Sequence, residues 1–156
     1  MRLPALLLSL LVMAPATWAD DLMDNADLVA GNDLGEPLVV RLLPAGAGQT
    51  AVVEQQGGGN RAALDQNGQA LLGRIVQAGG AQEAFILQAG TDLLATIHQQ
   101  GQGNSASIRQ SGSHNSAQIE QIGNYNSAQI EQSGTGLNSA VTQAGNGQTL
   151  HITQYR

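Results

Sequence analysis

From residue 50 onward, apolar and polar positions recur with a period of 11. Gln55, Gln66, Gln77, Gln88, Gln99, Gln110, Gln121, Gln132, Gln143 and Gln154 stand at unbroken spacing. Two residues before them lie Val53, Leu64, Ile75, Ile86, Ile97, Ile108, Ile119, Ile130, Val141 and Ile152, all branched and apolar. Two residues after the first nine lie Gly57, Gly68, Gly79, Gly90, Gly101, Gly112, Gly123, Gly134 and Gly145. Four before the Gln, Ala fills seven of ten positions, and six before it an amide fills seven of ten, among them Asn60, Gln82, Asn104, Asn115, Asn126 and Gln148. The recurrent offsets are all even. That places them on one face of a β-strand, because successive strand residues point to opposite sides. Ser, Arg, Glu, Gln, Ala, Thr, Asp and His fill the odd offsets and are expected to face water. The Gly marks a turn. Each unit therefore predicts a strand of about six residues and a tight bend.

An 11-residue repeat can also build a right-handed helical coiled coil. On a helix, however, the positions two and four before the Gln would lie about 200° apart and share no stripe. A Gly in each unit would further cost about 1 kcal/mol. The strand reading stands.

A second rhythm has twice the length. Even-numbered strands begin with an amide (Asn60, Gln82, Asn104, Asn126, Gln148), whereas odd-numbered ones begin with Leu71, Leu93 and Leu137, with Gln49 and Asn115 as exceptions. The unit is thus 22 residues, and five units fill 50–156. One unit cannot bury its Ile–Ala face alone, but stacked units can. The expectation is an all-β fold, an amyloid-type β-solenoid of five strand-turn-strand layers about 4.8 Å apart. Stacking sets Ile on Ile and Gln on Gln. A side-chain amide both donates and accepts, so buried amides are expected to satisfy one another in ladders. Both terminal layers are expected to leave open strand edges, which template a further chain.

Composition sharpens the picture. Charged residues make up 12% of the 156 residues and aromatics 3%, with no Cys and no Lys. Ordinary globular chains carry about 25% charged residues. Part of the 42% apolar content lies in residues 1–19: Arg2, the run "LPALLLSLLVMAP", and small Thr17 and Ala19 before Asp20. This is the pattern of a secretory signal peptide cleaved after Ala19, and the run is short for a membrane span. Losing Arg2 would take the formal charge from −6 to −7. A weakly acidic chain without a basic patch is not expected to bind nucleic acid. Residues 20–49 form an acidic N-terminal segment holding Asp20, Asp21, Asp24, Asp27, Asp33 and Glu36, half of the acids. Within it, "PLVVRLLP" (Pro37–Pro44) reads either as an added strand or as a cover on the first layer.

Candidate chemistry is sparse. No thiol nucleophile exists, and His98, His114 and His151 fall at unrelated offsets on surface and turn positions. No enzyme activity, metal, cofactor or small-molecule substrate is expected. "GGG" at Gly57–Gly59 is a turn, lacking the Lys of a phosphate-binding loop.

"QQGGGNRAALDQ" (Gln55–Gln66) and "QQGQGNSASIRQ" (Gln99–Gln110) resemble the curlin repeat, Q-x-G-x-G-N-x-A-x3-Q, without a mismatch. Other units are looser: Ala81 and Gln82 stand for Gly-Asn, Tyr125 for the second Gly, and Gln148 and Leu150 for Asn and Ala. Curlins are the subunits of curli, the extracellular functional amyloid fibres of bacterial biofilms. The resemblance implies export through the Sec route, passage through a dedicated outer-membrane secretion channel with accessory proteins, and assembly with other curlin subunits on the cell surface. It also implies that the N-terminal segment is what the channel recognises. Three odd strands that begin with Leu, scattered outward Arg and Glu, and the ending "HITQYR" look like the minor, nucleating curlin rather than the major fibre subunit. A monomeric surface solenoid, an adhesin for example, is the other alternative. It would carry a uniform outward Thr row or capped ends, and neither is seen in this pattern.

Overall fold

The computed structural model describes residues 38–42, for their backbone, and 48–156. The expected signal peptide (1–19) and acidic stretch (20–36) lie outside the described residues. The strands are β1 (Leu38–Leu42), β2 (Thr50–Gln56), β3 (Arg61–Gly80), β4 (Glu83–Gln102), β5 (Ser105–Ser113), β6 (Ser116–Asn124), β7 (Ser127–Thr135), β8 (Asn138–Ala144) and β9 (Thr149–Tyr155). The described residues contain no helix.

Every pairing among β2–β9 is parallel and offset by 22 residues. In one column Val53 lies beside Ile75, Ile75 beside Ile97, Ile97 beside Ile119 and Ile119 beside Val141. In the other, Leu64, Ile86, Ile108, Ile130 and Ile152 follow one another. The fold is the expected β-solenoid of five layers. Ten separate strands are not what forms, however. Both β3 and β4 run through a bend without a break, because the bend pairs in the same register: Asn67 with Ala89, Gly68 with Gly90, Gln69 with Thr91. Stacked turns extend the ladder round the corner.

The core lies between the two columns and consists of the even offsets. Ile75, Ile97, Ile119 and Ile130 are fully buried, and Ala84, Ala95, Ala106, Ala117 and Ala128 line the seam beside them. Each Ile contributes about 1.5–3 kcal/mol when removed from water. One departure is matched by another. Gly73 stands where most units have Ala, and a Cβ there would lie 2.6 Å from the Leu64 Cδ1. Leu64 in turn stands where the central units have Ile, so the pair exchanges volume across the seam.

The turn holds two left-handed positions, of which the first is Gly in every unit and the second only in some. Gly90 has φ +146, and a Cβ on it would run into the carbonyl oxygen of Gly112 one layer on. Both the dihedral and the close approach demand glycine. Two residues later comes a second position with φ near +60, where Ala70, Ala81, Asp92, His114 and Tyr125 carry side chains despite the strain. Other layers have Gly there, such as Gly103 (φ 64).

Odd offsets point outward but are not uniformly polar. Leu72 and Leu94, paired neighbours, are 42% and 41% exposed, and Phe85 and Leu87 lie outward on the opposite column. Exposed ion pairs join Arg61 to Glu83 (3.5 Å) and Arg74 to Glu54 (3.4 Å). Pairs this exposed contribute little.

The segment around Pro37–Pro44 forms an added strand. β1 pairs antiparallel with β2, setting Leu38 beside Gln55, Val40 beside Val53 and Leu42 beside Ala51. The expectation that both terminal layers are open therefore needs correction for half of the first layer: β1 occupies the outer edge of β2, while no described strand pairs with the outer edge of Arg61–Gln66.

Candidate functional site

The candidate site is the pair of ends where another chain could stack, together with the ladders that lead to them. Among the described residues no cluster of His, Asp and Glu fits a metal. His98 and His114 lie on the surface, 3.9 Å from Glu120 and 3.4 Å from Asp92.

All ten repeat glutamines stand in two ladders. In one, Nε2 of Gln55, Gln77, Gln99 and Gln121 each donates to Oε1 of the next Gln at 2.7, 2.8, 2.8 and 2.7 Å, ending at Gln143. In the other, Gln66, Gln88, Gln110 and Gln132 donate onward at 2.8, 3.0, 2.9 and 3.0 Å, ending at Gln154. The second N–H crosses the core. Gln77 donates to the carbonyl of Arg61 (3.2 Å), Gln99 to Glu83 (3.0 Å) and Gln110 to Leu94 (3.0 Å), each in the other column. One amide thus joins layer to layer and column to column. The period of 11 signalled the first bond. The second is a contact between columns that no spacing along the chain announces.

The crossing bond also settles which end of each amide is nitrogen, so the ladder has a direction. Donors point toward the C-terminal layer and acceptors toward the N-terminal one. Among the described residues, nothing donates to Oε1 of Gln55 or Gln66. At the far end, Gln143 keeps one N–H bonded to the Ser127 carbonyl (3.1 Å), and its other has no described acceptor. Gln154 reaches only the Asn138 carbonyl, at 3.4 Å, while its Oε1 accepts from Ser139 Oγ at 2.7 Å.

The amides at strand starts behave differently from the expected side-chain ladder. Asn104 Nδ2 donates to the Gly123 carbonyl (2.8 Å), and its Oδ1 accepts from the backbone N–H of Asn126 (3.0 Å). Asn60, Asn115 and Asn126 repeat this arrangement with Gly79, Gly134 and Gly145. At Gln148 the backbone N–H donates to Asn126 Oδ1 (3.0 Å), while the side-chain amide donates to the Ala144 carbonyl (3.0 Å) rather than to another side chain. Bending the chain leaves turn carbonyls and strand-start N–H groups without strand partners. Gln82 fits less well. Its Nε2 reaches Gly101 (2.9 Å), yet its Oε1 is buried without a partner. One extra methylene carries the oxygen past the N–H that Asn would meet.

At the C-terminal end, β8 pairs only with β6 and β9 only with β7, so both strands present an outer edge among the described residues. Ile152 is half-buried and Leu150 is 42% exposed on that end.

Comparison with known families places residues 90–123 and 123–155 on the model of the curlin associated repeat. These two matches span layers three to five. No curated protein matches the chain. The first two layers repeat the same register and ladders outside the matched segment.

Proposed function

We propose that this chain is a curlin, exported through its N-terminal signal and assembled into extracellular curli fibres at the cell surface, where it acts as the minor subunit that nucleates the major curlin. The observation that carries the reading is the in-register stack ending in the open β8/β9 edge. An open edge with ordered ladders is a template. A free chain must lose about 1–2 kcal/mol of backbone entropy per residue to form a layer, whereas a folded edge has already lost it on one side of each new contact.

The nucleator reading, rather than the major subunit, draws on Leu71 and Leu93. Both are buried to 1% where even strands have amides. They pack without needing a turn from a neighbouring layer, so layers two and three can close on their own and serve as a preformed base. A monomeric solenoid adhesin is disfavoured by the same open edge. The secretion channel and accessory assembly proteins are the further partners this reading implies, with the acidic segment 20–49 as the export determinant. The repeat and its fold are structural, and the reading includes no catalytic role.

The test is seeding. Folded protein added substoichiometrically to a major curlin should shorten the lag of dye-detected polymerisation. Unchanged lag with the intact protein, alongside efficient self-polymerisation, would point to the major-subunit alternative.

A further inference from the structure

We infer that β1 is a removable guard on the acceptor end of the solenoid, and that it makes assembly of this chain one-ended. The inference rests on the fibre reading above and adds a polarity and a gate to it.

Three observations carry it. Among the described residues β1 is the one antiparallel strand in an otherwise parallel stack, and its pairing runs along the outer edge of β2 from Ala51 to Gln55. That edge is where a preceding layer would otherwise add. The two ends are also chemically unlike. Gln143 and Gln154 present amide donors, and Gln55 and Gln66 present acceptors, because every ladder bond runs the same way. Finally, the ends match in register. A second copy placed one layer beyond β8 and β9 sets its Val53 over Val141 and Gln55 over Gln143, with Leu64 over Ile152 and Gln66 over Gln154. A second copy of this chain therefore fits the β8/β9 edge head to tail. Two identical ends would face donor with donor or acceptor with acceptor.

For that copy to dock, its own β1 must leave β2. Displacement is favoured because β8 of the neighbouring copy offers β2 a parallel pairing in the register of the stack and adds a bond from Gln143 to Gln55. A folded particle keeps its own β1 in place, so the β2 half of its acceptor end stays covered and a full layer cannot add there, while its donor end grows.

The chain has no Cys, so an introduced pair is unique. Val39 and Glu54 are Cα partners across β1 and β2. Such antiparallel partners sit roughly 4.5–5.5 Å apart, within disulfide range. The full chain carrying Val39→Cys and Glu54→Cys should elongate at least about tenfold more slowly when oxidised, and reductant should restore the wild-type rate. A second variant, Val39→Pro with Val40→Pro, removes whichever N–H faces β2. Labelled seeds of it, viewed singly, should grow at both ends, with total growth about twice that of one-ended wild-type seeds. An oxidised chain that elongates at the wild-type rate, or proline seeds that stay one-ended, would overturn the guard. Absence of fibres from both wild-type and reduced protein would overturn the fibre reading itself.

Discussion

Gln99 offers the sharpest test of the ladder. It is fully buried and makes three bonds: it accepts from Gln77 (2.8 Å) and donates to Gln121 (2.8 Å) and to the Glu83 carbonyl (3.0 Å). Gln99→Glu keeps shape and volume but removes both donors. Two buried acceptors lose their partners, at about 1–3 kcal/mol each. A carboxylate is also placed in the interior, so the total cost at neutral pH is roughly 5 kcal/mol. Protonation changes the outcome. The neutral acid has one O–H, restores one of the two bonds and carries no charge. Burial raises the folded-state pKa of the introduced carboxyl above its ordinary value of about 4.3. The folded form therefore holds the proton more tightly. The penalty is small below the unfolded pKa and grows as pH rises through the folded one. The ratio of variant to wild-type lag time, followed by dye fluorescence, should be large near about pH 7 and fall toward one near about pH 4. A ratio that does not change with pH, or a variant that assembles like wild type at neutral pH, would refute the claim that this amide is a buried donor.

The remaining expectations use the same geometry. Gly90→Ala forces a methyl into the Gly112 carbonyl and should abolish ordered assembly, while Gly58→Ala, which meets nothing within 4 Å, should be nearly silent by dye binding. Gln82→Asn gives the unpaired oxygen its backbone donor and should stabilise the folded chain by about 1 kcal/mol, read as a shifted denaturant midpoint; no shift would mean that Gln82 Oε1 is already satisfied. Ile119→Asp puts a charge in the fully buried core and should cost more than the usual 0.5–3 kcal/mol, roughly, of a point substitution, whereas Glu120→Ser, one residue on, should change denaturant stability by less than about 0.5 kcal/mol. Equal losses would contradict the inward and outward assignment.

The alternation of Asn104, Ala106, Ile108 and Gln110 with outward residues was legible along the chain because strand periodicity is local and the repeat copies it ten times. The register of 22 was legible for the same reason: odd and even strands differ at their first position, and only a two-strand layer sets like on like. Other features depended on the folded chain. Gln99 bonding to the Glu83 carbonyl joins residues 16 apart across two columns, and their distance follows from how tightly the columns close. The Asn amides turned to the backbone because bending the chain strands carbonyls and N–H groups that a linear pattern does not display. Tyr125 and Ala81 look like ordinary substitutions until the φ they adopt is known. β1 lies outside the repeat altogether, so no periodicity could assign Leu38–Leu42 a partner or a direction. Repetition specifies what stacks on itself, since identical neighbours make one register the best for every row at once. What covers an end is a contact between unlike segments, and only the tertiary structure decides it.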